Sequence, residues 1–140
     1  MGTERAALTG GCLCGAVRYR VEAPVPDVAY CHCRTCRRAA GAPVAVWGSV
    51  PIDGFRYDAG TPAVYLSSDV AQREFCSRCG TQLAFRKRDG ARFVDFTLAS
   101  LDTPDAITPT YHIWRMSRIG GFETADALPR HDGRGPDTYF

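Results

Sequence analysis

The clearest pattern along the chain is an alternation of apolar and polar residues with a period of two. The stretch AVRYRV at residues 16–21 places Val17, Tyr19 and Val21 on one face of an extended segment. Such alternation predicts a half-buried β-strand. Further strands are predicted at residues 44–47, 55–57, 63–66, 72–76, 82–87 and 93–98.

Turn-forming residues separate these segments, and their close spacing favours hairpins. They are Pro51, Asp53, Gly54, Gly60 to Pro62, Asp89 and Gly90. One short helix is predicted over residues 34–40. Gly41 ends it, because glycine readily takes left-handed backbone angles at a helix C-terminus. The predicted fold class is therefore mainly β.

The length of 140 residues suits one domain with a hydrophobic core. We predict a single domain over residues 1–140, with residues 131–140 as a loosely held tail. The net charge of +2 is too small to indicate a nucleic-acid binder. No apolar run is long enough for a membrane span, and the N-terminus lacks the apolar core of a secretory signal. We expect a cytoplasmic protein with neither nucleic acid nor membrane as partner.

Cysteine is the residue type with the most informative spacing. The seven cysteines occur as Cys12-x-Cys14, Cys31-x-Cys33-x-x-Cys36 and Cys76-x-x-Cys79. An odd number would leave one thiol outside any set of disulfides, and a cytoplasmic chain is kept reduced. Close-spaced cysteines in such a chain more often bind metal. We therefore interpret them as metal ligands.

Coordination number divides the seven cysteines into four and three. Structural zinc takes four Cys or His ligands, whereas a reactive zinc takes three and leaves one position open. The segment FCSRCG has the form of a zinc knuckle, and CLCG shares its following glycine and precedes a strand. We predict a closed site of Cys12, Cys14, Cys76 and Cys79. The site with an open position then consists of Cys31, Cys33 and Cys36.

Three motifs in this order resemble a known family. They are GCLCGAVRY at residues 11–19, CHCRTCRR at 31–38 and FCSRCGTQL at 75–83, followed by ASLD, YHI and DALP further along the chain. The sequence is similar to the glutathione-dependent formaldehyde-activating enzyme family, which also contains centromere protein V.

The resemblance implies a β-tent fold of packed antiparallel sheets with zinc knuckles, and two zinc ions per chain. It implies structural zinc on the four-cysteine set and active-site zinc on Cys31, Cys33 and Cys36, which would be the catalytic residues. The implied activity is that of a carbon–sulfur lyase, which combines glutathione with formaldehyde to give S-hydroxymethylglutathione. A zinc with an open position suits this chemistry, because it holds a thiol in its thiolate form.

Arginines near the open position are candidate substrate contacts. Arg37 and Arg38 could bind the carboxylates of glutathione through their guanidinium forks, and Arg34 is a weaker candidate. The alternative is that these side chains form a solvated helix face.

Histidine and aromatic residues are expected to be structural. His32 lies between two proposed ligands, so its side chain is expected to point away from the metal. His112 is interpreted as a structural histidine in preference to an acid–base group or a fourth metal ligand. The larger aromatic residues are expected to pack in the core. They are Trp47, Phe85, Phe96 and Trp114.

One alternative function comes from a different class of protein. The chain could be a zinc-stabilised binding module without catalytic activity. The set of three cysteines favours an enzyme, because a binding module has no use for a ligand set that is one short of closed. Methionine sulfoxide reductase fits less well, since its zinc pairs are both C-x-x-C.

Overall fold

A computed structural model describes residues 7–136 of the chain. The described residues form ten β-strands and one α-helix, joined by turns and short 3-10 segments. The elements are β1 (Leu8–Gly11), β2 (Arg18–Val21), β3 (Asp27–Cys31), α1 (Arg34–Ala40), β4 (Ala45–Pro51), β5 (Phe55–Ala59), β6 (Ala63–Leu66), β7 (Ala71–Phe75), β8 (Gln82–Lys87), β9 (Phe93–Thr97) and β10 (Tyr111–Ile113). The mainly β class is confirmed.

The strands form two sheets. The smaller sheet has the order β1-β2-β5, and the larger has the order β10-β3-β4-β9-β8-β7-β6. Neighbouring strands pair antiparallel except for β10, which runs parallel to β3. This differs from the expected antiparallel arrangement. The chain crosses from β9 to the free edge of β3 through 3-10 turns, so β10 enters in the same direction as β3.

The main core lies between the two sheets. In β2 the predicted alternation is present, with Tyr19 and Val21 buried while the two arginines of the strand are half-buried. Tyr19 stacks on Phe55 at 5.2 Å between ring centroids and also contacts Phe96 of the larger sheet. Burying each large apolar side chain contributes about 1.5–3 kcal/mol to folding. Phe96 is thus a core residue, as expected.

The sequence predicts the bounds of the α-helix and of some strands correctly. The strands at 63–66 and 82–87 and the helix at 34–40 have the predicted bounds, and Gly41 ends the helix with a φ of 61°. Strands β1, β3 and β10 were not predicted. In β1 a glycine is needed because any Cβ at Gly10 would lie 2.5 Å from the Tyr19 ring, and such a strand shows no alternation.

The C-terminal segment is hydrogen-bonded to β10 and to the residues just after it. The amide of His131 donates to the carbonyl of His112, and the amide of Arg115 donates to the carbonyl of His131, both at 3.0 Å. The beginning of the expected tail is thus hydrogen-bonded, while residues 137–140 lie outside the described residues. No helix within residues 7–136 has the length and apolar character that crossing a membrane requires.

Candidate functional site

The three-cysteine cluster forms where β3 ends and α1 begins. Cys31 is the last residue of β3, and its strand neighbours are Ala45 and Ile113. Cys33 is the N-cap of α1 and accepts a hydrogen bond from the amide of Cys36 at 3.3 Å. The first turn of the helix therefore brings Cys36 back towards β3. The three sulfur atoms lie within 4.8 Å of one another.

Hydrogen bonding within this cluster gives its thiols different pKa values. The thiol of Cys31 donates to Cys33, and this bond is the main reason that the pKa of Cys33 lies far below its ordinary value. The same bond, together with Cys36 and burial, raises the pKa of Cys31. The Thr35 hydroxyl, 3.3 Å from the Cys33 sulfur, further stabilises the thiolate. The first negative charge in the cluster is therefore held by Cys33.

The four-cysteine cluster joins two distant hairpins. Its sulfur atoms also lie within 4.8 Å of one another, with 3.6 Å between Cys12 and Cys14 and 3.8 Å between Cys14 and Cys76. Gly15 and Gly80 follow the two knuckles with positive φ angles of 79° and 81°. The tight turns after both cysteine pairs therefore depend on glycine.

Both clusters fit a tetrahedral metal ion by the chemistry of their donors. Thiolates at 2.3 Å from zinc in a tetrahedron are about 3.8 Å apart, which matches the separations among Cys12, Cys14 and Cys76. Hydrogen bonds from the hydroxyl and amide of Thr81 lower the pKa of Cys79 to about 5, which favours the thiolate that metal binding needs. All seven cysteines are free of disulfides.

A cavity of about 610 Å³ opens onto the three-cysteine cluster alone. None of the four knuckle cysteines lines it. Its lining consists of Ala29, Cys31, Cys33, Arg34, Thr35, Cys36, Trp47, Ser67, Ser68, Ala71, Arg73, Phe85, Asp95, Ile113, Trp114 and Arg134. This volume suits a small organic molecule. The structure thus distinguishes a thiol cluster that lines a cavity from one that lies outside it.

The arginines at the cavity differ from those expected. Arg37 and Arg38 do not line it; with Ile119 and residues 41–43 they line a separate, smaller groove. Arg37 points back along the chain and donates to the carbonyl of His32 at 3.3 Å. Arg38 is exposed and lies about 200° around the helix from Cys36. The cavity instead receives Arg34, Arg73 and Arg134.

His32 and His112 form a buried chain of hydrogen bonds away from the cavity. The Nε2 atom of His32 lies 2.8 Å from Nδ1 of His112, whose Nε2 atom lies 3.0 Å from the carboxylate of Asp126. Because the carboxylate of Asp126 accepts, His112 donates through Nε2, and its Nδ1 atom faces His32. Burial is the main cause that lowers the pKa of His32 to about 4. The His32 ring is therefore neutral, and neither ring lines the cavity, in line with their interpretation as structural residues from sequence.

Three aromatic residues that were expected in the core also line the cavity. Trp47 and Phe85 pack against the three-cysteine cluster and also form cavity wall. Trp114 lies at the wall with 37% of its surface exposed and has a left-handed backbone, with a φ of 57°. A non-glycine residue is strained there by about 1–2 kcal/mol. Such strain often marks a functional position.

Comparison with known proteins identifies the family to which the sequence is similar. Residues 7–117 match the family described as glutathione-dependent formaldehyde-activating enzyme. An uncharacterised lyase of Schizosaccharomyces pombe is 35% identical over 89 residues, which make up 58% of this chain and 58% of that protein. A Halomonas elongata protein, provisionally named as a glutathione-dependent formaldehyde-activating enzyme, is 34% identical over 90 residues, 54% of each chain. The matched region spans little more than half the length of these relatives.

A solved structure supports the fold. The crystal structure of a Rhodobacter sphaeroides protein, a structural genomics target, superposes with a TM-score of 0.57 at 25% sequence identity. The match covers 72% of this chain and 91% of that protein. The arrangement of strands is therefore shared with a known structure.

Proposed function

Because the chain belongs to the glutathione-dependent formaldehyde-activating enzyme family, we propose that it joins the thiol of glutathione to the carbonyl carbon of a small aldehyde such as formaldehyde. In class it would be a carbon–sulfur lyase. The observation that supports this most directly is that Cys31, Cys33 and Cys36 line a cavity while the other four cysteines do not. A cavity over an incomplete ligand set favours an enzyme over a binding module.

Two zinc ions per chain are part of this proposal. Cys12, Cys14, Cys76 and Cys79 would hold one, and Cys31, Cys33 and Cys36 would hold the other. The second ion would supply a position at which a substrate thiol is kept deprotonated. A cytoplasmic location also belongs to the proposal, since seven free cysteines require a reducing compartment.

The cavity offers groups that match the functional groups of glutathione. Arg34 and Arg134 lie at the cavity and could bind carboxylates through charge-assisted hydrogen bonds. Trp47, Phe85 and Trp114 provide apolar wall that limits the access of water to the sulfur atoms. Arg37 and Arg38 remain candidates only for a part of the substrate that extends outside the cavity, since they line the neighbouring groove.

The reaction itself requires little from acid–base groups. The thiolate sulfur attacks the carbonyl carbon, a carbon–sulfur bond forms, and the π-electron pair of the carbonyl moves onto oxygen. That oxygen takes up the proton that the thiol released. The protein's part is to hold the two reactants together and to keep the sulfur ionised.

Titration calorimetry with glutathione and with S-methylglutathione on the zinc-loaded chain tests the proposal. We expect binding of the free thiol only, because the methylated sulfur has no proton to lose. Equal affinity for both would contradict thiol capture at the three-cysteine cluster. Measuring adduct formation from glutathione and formaldehyde by NMR exchange then separates an enzyme from a binding module, which would bind the thiol without increasing the rate.

A further inference from the structure

One buried charge at the cavity has no carboxylate partner among residues 7–136. The side chain of Arg73 is only 7% exposed, and within residues 7–136 no carboxylate lies within 4.0 Å of its guanidinium. Buried charges in proteins are ordinarily paired, because removing them from water is costly. Arg73 therefore needs a counter-charge of another kind.

The contacts of the guanidinium indicate where that counter-charge lies. Nη1 donates to Oε1 of Gln82 at 3.0 Å, and Nη2 donates to Oγ1 of Thr35 at 3.4 Å and to Sγ of Cys36 at 3.5 Å. The amide of Gln82 and the hydroxyl of Thr35 are neutral. Of these three acceptors, the Cys36 sulfur is the one that would carry negative charge as a metal-bound thiolate.

The neighbouring strand holds the guanidinium in this position. Arg73 of β7 pairs directly with Phe85 of β8. Its guanidinium carbon lies 4.9 Å from the centroid of the Phe85 ring and 6.0 Å from that of Trp47. A cation over aromatic faces is attracted to them. The charge is therefore fixed beside the cluster by its surroundings and does not depend on a flexible side chain.

We infer that Arg73 is the counter-charge of the Cys31–Cys33–Cys36 cluster and strengthens the binding of a divalent metal ion there. The inference rests on the three-cysteine metal site of the proposed function. Three thiolates exceed the charge of a divalent ion by one unit, and the guanidinium cancels that excess. A substrate thiolate would then join a neutral site in place of an anionic one. Arg73 is thus a positioning residue that favours an anionic fourth ligand.

The four-cysteine cluster provides a control on the same chain. Cys14 is exposed, so water can screen part of the charge of this cluster. No arginine in the described part of the chain donates a hydrogen bond to any of the four sulfur atoms. A change at Arg73 should therefore affect one site and leave the other unchanged.

The test compares wild type, Arg73→Lys and Arg73→Met in the zinc-loaded full chain. A chromophoric chelator is titrated at constant pH, and the Cys36→Ser variant identifies the transition that belongs to the four-cysteine site. Methionine keeps apolar contact with the aromatic rings but has no charge, whereas lysine keeps the charge. We expect Arg73→Met to weaken the three-cysteine site about 10- to 100-fold, and Arg73→Lys to stay close to wild type.

Retention of the four-cysteine ion reports that each variant is folded, and Arg73→Gln is a second neutral variant if the methionine variant does not fold. Wild-type affinity in the neutral variants would overturn the inference. Equal losses with methionine and lysine would also overturn it, since shape and not charge would then matter. A wild-type chain that binds only the four-cysteine ion would overturn the proposed function and this inference together. Loss of glutathione binding alone would affect only the proposed function.

Discussion

The sulfur atoms of Cys14 and Cys76 lie 3.8 Å apart although 62 positions separate the two residues in sequence. Their cluster joins the hairpin that precedes β2 to the hairpin between β7 and β8. A metal ion here would close a long loop, whereas an ion at Cys31, Cys33 and Cys36 would close a very short one. The two sites should therefore differ in how much they contribute to folding.

We expect Cys76→Ser to be unfolded or insoluble, because structural zinc contributes folding free energy directly. Cys36→Ser should stay folded, carry about one zinc ion in place of two, and lose thiol-dependent activity. Elemental analysis and near-ultraviolet circular dichroism on the same preparations measure both effects. A folded, active Cys76 variant beside a collapsed Cys36 variant would reverse the assignment of the two sites.

The buried hydrogen bonds from His32 through His112 to Asp126 give a second prediction. Asp126→Ala removes the acceptor that fixes the His112 tautomer, and a hydrogen bond to a charged acceptor contributes about 1.5–3 kcal/mol. We expect a loss of stability of at least this size, because Asp126 also accepts from the amide of Leu128 and from Arg130. We also expect mixed His112 tautomers in nitrogen NMR spectra. Asp105→Ala, at an exposed 3-10 turn, is the control and should leave the stability and the His112 tautomer unchanged. A single Nε2–H tautomer in the Asp126 variant would disprove this role.

Trp114 gives a third prediction, because its backbone is left-handed. Trp114→Gly and Trp114→Ala both remove the indole from the cavity wall, but only glycine relieves the backbone strain. We expect the glycine variant to be more stable than the alanine variant by about 1–2 kcal/mol in denaturant unfolding of the zinc-loaded chain. Both should bind glutathione more weakly than wild type. Alanine equal to or above glycine in stability would show that the position is not strained.

Much of the site could be predicted from sequence because cysteine spacing and coordination number are local and discrete. Zinc takes four ligands, and seven cysteines in groups of two, three and two leave few ways to divide them. The helix at Arg34–Ala40 was predictable for a similar reason, since Gly41 gives an unambiguous end. These features depend on residues that are neighbours in the chain.

Arg73 could not be identified in this way. In sequence it is one of three consecutive polar residues in a strand, and nothing local separates it from Gln72 or Glu74. Its position beside Cys36 depends on the register of β7 with β8 and on how α1 packs over the sheet. The short parallel strand β10 was missed because its three residues are all buried and show no alternation.

The order of elements along the chain determines the order in which the two cysteine clusters can form during synthesis. Cys31, Cys33 and Cys36 leave the ribosome together, while β10, which completes one wall of their cavity, follows about 4–15 seconds later at ordinary translation rates. For that interval the nascent chain presents three unshielded thiols to the metabolites around it. The four-cysteine cluster does not exist until Cys79 has emerged. The first set of thiols to be complete in the growing polypeptide is therefore the three-cysteine cluster.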